Sequence, residues 1–329
     1  MYKFLTLVFF LLTPLVTASS DYAGRPDVQE FVRELAEEGD FDERELLSIF
    51  KHAEYKQSII DAISRPAEKT LTWAEYQDIF LTDRRTSSGV AFMSENREAL
   101  EEAYRVYGVP PVIVTAIIGV ETMYGRITGG YRVLDALATL SFDYPPRSRF
   151  FRGELKQFIL LAREEKQMIT DLKGSYAGAM GLGQFIPSSY RHYAVDFDGD
   201  GFRDIWNNPT DAIGSVANYL SEHGWQRDAD ITFAVDGARV PEDVFNVSLK
   251  PSKSISELES LGMKAELGVL DRDQQVSPMR FSGKMGDEFW IGLKNFYVIT
   301  RYNHSKLYAM AVFQLSEDLK KGSDAIVAR

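Results

Sequence analysis

Residues 110–125 read Pro-Pro-Val-Ile-Val-Thr-Ala-Ile-Ile-Gly-Val-Glu-Thr-Met-Tyr-Gly. Proline is well tolerated at the first positions of a helix, so a helix is predicted to begin here, just after Gly108-Val109. Ten of the eleven positions from Pro110 to Val120 are apolar or glycine, Thr115 being the exception. A helix that is apolar on nearly every side must be buried, so the fold is predicted to be a helical body built around this segment. The run ends on Glu121. Burying a lone carboxylate is costly unless it is protonated or paired. Desolvation raises its pKa, which would make Glu121 a proton donor near neutral pH of the kind glycosidases use on a leaving oxygen. Tyr124, three residues on, is expected on the same helical face. The segment alone leaves a second reading open, in which Glu121 marks an exposed helix end or pairs with Arg126. Most glycosidases use two carboxylates. None stands near Glu121 in sequence, and Asp135 and Asp143 qualify only if the fold brings them close.

On the N-terminal side, residues 27–107 read as helices. Val28, Phe31, Val32 and Leu35 have helical spacing, and Asp42 with Glu45 resembles a capped start for a helix over Arg44–Tyr55. Trp73–Phe80 and Glu95–Tyr107 continue the pattern. On the C-terminal side helices are predicted at Arg152–Glu165, Asp211–His223 and Leu307–Leu319. From Asp230 to about Val298 the texture changes. Runs such as Ile231–Val235 and Phe296-Tyr297-Val298-Ile299 read as short strands between turns, with a capping box at Ser254 and Glu257. The fold class is α+β and mainly α, with a small β-containing insertion.

Two further stretches carry chemistry. Residues 174–190 read Gly-Ser-Tyr-Ala-Gly-Ala-Met-Gly-Leu-Gly-Gln-Phe-Ile-Pro-Ser-Ser-Tyr. The glycines let the backbone approach a ligand closely, while Ser175 and Gln184 offer a hydroxyl and an amide suited to sugar hydroxyl and N-acetyl groups. A turn between helices explains the same glycines. No Gly-Lys-Ser/Thr follows, so this is not a phosphate loop. Asp196-Phe197-Asp198-Gly199-Asp200-Gly201 matches the first six positions of an EF-hand loop, with the Phe202 carbonyl at the seventh. Asn207 stands where the twelfth-position Glu belongs, and the next acid is Asp211. Such a loop is expected to take Ca2+ weakly as a structural clip, with Na+ as a replacement; a solvated acidic turn is the alternative.

The chain has 329 residues, enough for about two domains. Its 37 basic against 48 acidic residues give a net charge of −11, which argues against a nucleic-acid partner. There is no cysteine, which excludes disulfides, thiolate metal sites and a cysteine nucleophile. It also excludes a lipid anchor of the bacterial lipoprotein kind. Residues 1–18 have the order of a secretory signal: Lys3, an apolar run from Phe4 to Val16, and Val16-Thr17-Ala18 before the cut. Cleavage near Ala18 is expected, leaving an exported, soluble protein. No later segment is long and apolar enough to span a membrane.

Ile117–Thr122, Gly174–Tyr190, Ala194–Gly201, Asp211–Tyr219 and Ile299-Thr300-Arg301-Tyr302-Asn303-His304-Ser305 follow one another in this order. In that arrangement the chain resembles the membrane-bound lytic transglycosylase B family of peptidoglycan-cleaving enzymes (glycoside hydrolase family 103 type). The resemblance runs from about residue 27 onward. It implies a lysozyme-like core with a helical domain and a small β domain. The segments would be a helical region at 19–108 and a core with the calcium loop at 109–228, part of 126–170 packing with the helical region. An insertion at 229–290 and a return to the core at 291–329 complete the order. The resemblance implies non-hydrolytic cleavage of the β-1,4 bond between N-acetylmuramic acid and N-acetylglucosamine in glycan strands, leaving a 1,6-anhydromuramic end. No organic cofactor is implied. Glu121 would be the sole acid/base, which answers the missing second carboxylate. Ser175 would polarise the substrate's N-acetyl group. Gln184, Tyr76, Tyr219, Tyr302, Asn303 and Tyr308 match sugar-lining positions. Two features depart from many relatives: the missing N-terminal cysteine, and Pro145-Pro146-Arg147, where Pro146 replaces one of two basic residues that meet the stem peptide. A hydrolytic muramidase, or a non-catalytic calcium-dependent wall-binding protein, are the rival readings. Partners among cell-wall synthesis or division proteins are not specified by the sequence.

Overall fold

The structure is a computed structural model that describes residues 22–39, 41–64, 71–264 and 271–327. The secretory stretch at 1–18 lies outside the described residues. The chain divides into two compact units, one up to Tyr55 and one from Lys56 on. The first holds α1 (Pro26–Gly39) and α2 (Glu43–Phe50). Val28, Phe31, Val32 and Leu35 are buried on one face of α1, as their spacing predicts. Asp42 caps α2 by accepting the N–H groups of Arg44 and Glu45, and the helix stops at Phe50, short of the expected Tyr55.

The second unit opens with α3 (Gln57–Ile63), α4 (Trp73–Phe80), α5 (Asp83–Glu95), α6 (Arg97–Tyr107) and α7 (Pro111–Thr122). The helix at Asp83–Glu95 has no clear apolar stripe in sequence, and it begins on a Thr82 cap whose hydroxyl accepts from Arg85. Gly108, at φ +74°, lets the chain bend by 114° between α6 and α7. Helix α7 is the buried axis the sequence predicts: Ile113 through Val120 are all buried. Each fully buried Ile or Val there contributes about 1.5–3 kcal/mol relative to exposure. Helices α5 and α6 pack against α7. Among the described residues no single helix is long and apolar enough to cross a membrane.

There follow β1 (Tyr131–Arg132), α8 (Val133–Asp143), α9 (Ser148–Glu164), β2 (Lys173–Gly174), α10 (Pro187–Tyr193) and α11 (Pro209–Glu222). Strands β1 and β2 pair antiparallel, Tyr131 against Gly174, at the entry to the glycine-rich stretch. The insertion comprises β3 (Thr232–Ala234), β4 (Lys253–Ser254), α12 (Ile255–Ser260), β5 (Gln275–Gly283) and β6 (Gly286–Gly292). Its antiparallel order is β3-β6-β5-β4, around a small core that includes Phe245, Leu258, Val276 and Ile291. Ser254 caps α12 through the N–H of Glu257, as the capping box predicts. The chain closes with α13 (Lys294–Tyr302) and α14 (Lys306–Val327), and α14 packs on α7 and α5.

One expected strand is absent. Phe296–Ile299 is not a strand but the middle of α13. Its β-branched and aromatic residues are overridden by tertiary context. Asn295 fixes the first turn of the helix by accepting from the Gln226 N–H and donating to the Gln226 and Ala229 carbonyls. Phe296, Val298 and Ile299 then face the core together.

Candidate active site

Helix α7 ends abruptly one residue after Glu121. Met123 and Tyr124 both take left-handed φ, 53° and 60°, and Gly125 follows at 83°. Three left-handed residues in a row cannot continue a helix. Thr122 locks this end in place. Its hydroxyl donates to the Leu182 carbonyl at 2.8 Å and accepts from the Gly125 N–H at 3.0 Å. The carboxylate-bearing turn is thereby fastened to the glycine-rich stretch sixty residues on. The reversal also overturns the expectation for Tyr124, which does not share the face of Glu121. Its hydroxyl is wedged where a Cβ on Gly89 or Gly119 would otherwise sit, with its ring beside Phe92.

Glu121 is half-buried, so the end of the apolar helix reaches solvent. Tyr308, at the start of α14, donates to its Oε1 at 2.7 Å. Burial of the Tyr308 hydroxyl, followed by the negative charge of Glu121, holds that phenol well above the usual tyrosine range. It therefore remains a donor and fixes the carboxylate. The ring of Tyr302 stacks on Tyr308, 6.4 Å away and within 5° of parallel, and its hydroxyl donates to the Gly183 carbonyl at 2.5 Å. Gly183 is required there, because a Cβ would lie 2.8 Å from the Tyr302 oxygen. Burial and Glu121 raise the Tyr302 phenol as well. Tyr219 on α11 meets Tyr302 edge-on at 4.8 Å and stacks on His223 at 4.0 Å. Burial pushes it up to about 12. Tyr76 on α4 lies between Trp73 and Phe80, and its phenol is close enough to Tyr308 to raise that group further.

Gln184 sits at φ +52°, a left-handed position uncommon outside glycine and typical of a constrained functional turn. Its amide nitrogen donates to the Thr128 and Gly181 carbonyls, which leaves the oxygen as its remaining acceptor. Ser175, at the other end of the loop, accepts the N–H groups of Ala177 and Ala179, so its own proton is kept for donation. Asn303 follows Tyr302 in extended backbone at the end of α13, and its carbonyl accepts from Ser305. The structure therefore gathers Glu121, Tyr308, Tyr302, Tyr219 and the Gly183–Gln184 turn, with Tyr76 beside Tyr308. Ser175 and Asn303 lie along the same loop and helix end.

The alternatives for Glu121 fare differently. Arg126 is exposed and donates to Ser88. Asp135 is buried and held by both nitrogens of Arg132 at 2.8 Å, and Asp143 closes α8. Sequence reasoning missed Arg85, which donates to the Gly119 carbonyl at 3.1 Å, where a cation suits the negative end of the α7 dipole. It also missed Tyr193 and His223 around Tyr219; their signal is only an aromatic residue near a helix end.

In the acidic loop, carboxylate oxygens of Asp196, Asp198 and Asp211 come within 4.8 Å of one another. Asp200 is not among them: its carboxylate accepts the Phe202 N–H. Asp211 joins from α11, where it is buried and accepts from Phe197 and Asp204. Burial raises its pKa. Like charges about 5 Å apart repel by roughly 3 kcal/mol per pair at an effective dielectric of about 20. Three hard oxygen donors on one point fit a Ca2+-like cation.

Residues 23–317 match the family described as the transglycosylase SLT domain. The chain is 42% identical over 322 residues to membrane-bound lytic murein transglycosylase B of Escherichia coli strain K12, covering 94% of this chain and 87% of that protein. The solved structure of catenated lytic transglycosylase SltB1 from Pseudomonas aeruginosa superposes with a TM-score of 0.87 at 50% identity, over 92% of this chain and all of that one (100%). The Escherichia coli lytic transglycosylase Slt35 in complex with calcium gives 0.85 at 42% identity, over 92% and 96% of the two chains.

Proposed function

The chain belongs to the transglycosylase SLT domain family, and we propose that it acts as a lytic murein transglycosylase with Glu121 as its sole acid/base. The observation that carries the assignment is the Tyr308–Glu121 hydrogen bond at the open end of a buried helix, beside the Gly183–Gln184 turn. In the first half of the reaction, the Glu121 carboxylic acid protonates the oxygen that leaves C1 of N-acetylmuramic acid, and the glycosidic bond breaks. In the second half, the resulting carboxylate takes the proton of the muramic C6 hydroxyl as that oxygen bonds to C1. The 1,6-anhydro ring forms, the proton returns to Glu121, and no water is consumed. One carboxylate suffices for this cycle, which agrees with Asp135 being committed to Arg132.

Ser175 is placed to donate to the N-acetyl group that assists at C1, and Gln184 and Asn303 to meet sugar polar groups. Of the four tyrosines, Tyr302 is half-buried and offers a ring edge to a pyranose, while Tyr76, Tyr219 and Tyr308 are buried and back the site from behind. Asp196, Asp198 and Asp211 would hold the calcium ion, with Asp200 and the Phe202 carbonyl adjoining. When bound, the ion offsets two of the three negative charges and clips the loop to α11; sodium is the weaker substitute. Residues 1–18 support export to the periplasm with cleavage near Ala18, testable by finding Ser19 as the N-terminus of the exported protein.

Digestion of purified sacculi, with mass spectrometry of the sugars, tests the function. Anhydro ends, lighter by one water than reducing ends, are expected; reducing ends alone would identify a hydrolytic muramidase. Glu121→Gln should lower turnover by at least about 10²–10⁴-fold, because the amide cannot cycle a proton. Activity within a few-fold of wild type would refute the assignment.

A further inference from the structure

A basin of about 550 Å³ is lined by Thr72, Trp73, Arg280, Phe281, Ser305 and Lys306 among others. Two elements link it to the Glu121 site. On α4, Trp73 precedes Tyr76 by one turn, and the two rings stack at 6.3 Å. On α14, Lys306 precedes by two positions the Tyr308 that bonds Glu121. Phe281 and Trp73, with ring centroids 5.6 Å apart, complete with Tyr76 a row of rings leading from the basin to the Tyr308 that bonds Glu121.

The two cations of the basin differ in what holds them. Arg280 is bridged by Glu242 and Asp287, each at 2.7 Å, so its charge is already matched. Lys306 is half-buried, its ammonium donates to the Arg280 carbonyl at 2.6 Å, and it stands 4.9 Å from the Phe281 ring centroid. Among the described residues no carboxylate forms an ion pair with it. An ammonium has three donors, and one carbonyl occupies only one of them. Burial, and then the neighbouring Arg280, push Lys306 down to about 8. It stays mostly charged at neutral pH, in a place where the charge is costly; Glu242, the carboxylate that lines the same basin, is paired with Arg280. The group that would offset it is an anion in the basin.

Resting on the transglycosylase reading, we propose that this basin binds a carboxylate of the short peptide borne by the glycan strand, with Lys306 as its anchor. In a peptide-bearing strand the muramic lactyl group is tied up as an amide and the sugars are neutral. The carboxylates therefore belong to the peptide, which leaves the strand sideways from the muramic ring. A half-buried ammonium with spare donors, two positions before the Tyr308 that holds Glu121, selects for that charge at short range.

The test compares intact peptidoglycan strands with the same strands whose peptide carboxylates have been converted to amides. Wild-type protein should show kcat/KM about tenfold higher on the charged strands, as expected for losing one charge-assisted hydrogen bond in a half-exposed site. Lys306→Met should abolish that preference, and Lys306→Arg should largely retain it, with the effect in KM rather than kcat. A Lys306→Met loss of equal size on charged and amidated strands overturns the proposal. So does a Lys306 dependence found only on strands stripped of peptide, whose lactyl carboxylate is free. Turnover of neither strand by wild type would overturn the transglycosylase reading, and this proposal with it; anhydro products with no charge preference would overturn this proposal alone.

Discussion

Glu121 and Tyr308 meet at 2.7 Å although 187 positions separate them. Glu121 was legible from its own surroundings, because a carboxylate after ten apolar or glycine positions demands an account. Tyr308 was not. Nothing near it in sequence says that a tyrosine in the closing helix reaches the end of α7, and only the resemblance to a known family pointed there. Ser175 and Gln184 were half-legible: their side-chain chemistry suited a sugar, but the left-handed turn that orients Gln184 is a property of backbone packing. The pair makes a prediction at this scale. Tyr308→Phe keeps the ring that stacks on Tyr302 and deletes the donor to the carboxylate. A hydrogen bond to a charged group contributes roughly 1.5–3 kcal/mol, so kcat should fall about 10–100-fold with KM and melting temperature little changed. Unaltered kcat would show that Tyr308 does not position Glu121. Burial and Glu121 both raise the Tyr308 and Tyr302 phenols above their ordinary value of 10.0. Any basic limb of the pH–rate profile below about pH 10 should therefore survive in Tyr308→Phe, because it belongs to another group.

Elements were most legible where one physical demand dominated. Helix α7 had to be buried, and α4 and the caps at Asp42 and Ser254 stand where the sequence sets them. Helix α13 was misread because its local propensity favours strand, whereas Asn295 and the core decide otherwise. The acidic loop was read as Asp196, Asp198, Asp200 and the Phe202 carbonyl with Asp211 as the further acid; the cluster keeps Asp196, Asp198 and Asp211, in the first turn of α11, and leaves out Asp200. That exchange changes what the loop does: it fastens a connection to a helix. Gly214 on α11 allows the close dock, since a Cβ there would lie 2.4 Å from the Phe197 ring. Calcium should then act on stability more than on rate. A ligand that binds only the native state adds RT ln(1 + [L]/Kd), about 2.7 kcal/mol at a hundredfold excess over Kd. The melting temperature should rise by several degrees with millimolar calcium, and Asp198→Ala should lose that rise while folding normally without the ion. A melting curve indifferent to both calcium and chelator would make the loop a plain acidic turn.

At the scale of the whole molecule, the decisive quantity is charge. Loss of residues 1–18, if they are cleaved as proposed, would remove Lys3 and take the net charge from −11 to −12. The wall polymer is itself anionic through its peptides, so long-range electrostatics oppose the encounter. Attraction must come from contacts made after arrival: packing on the half-buried Tyr302, hydrogen bonds with Glu121 and the Gln184 amide oxygen, and the ammonium of Lys306. These forces respond differently to salt. Repulsion between separated surface charges is screened once the Debye length falls to about 10 Å at 0.1 M. Stacking and hydrogen bonding are nearly indifferent to it, and a half-buried ion pair at contact is screened far less than exposed charges. Binding of the Glu121→Gln protein to sacculi should therefore hold constant or strengthen, by up to a few-fold, as ionic strength rises from about 0.01 to 0.15 M. A sedimentation assay over that range measures it directly. A steep loss of binding with salt would mean that a basic surface steers the encounter, contrary to the charge distribution, and would shift the source of affinity from the Glu121 site to exposed cations.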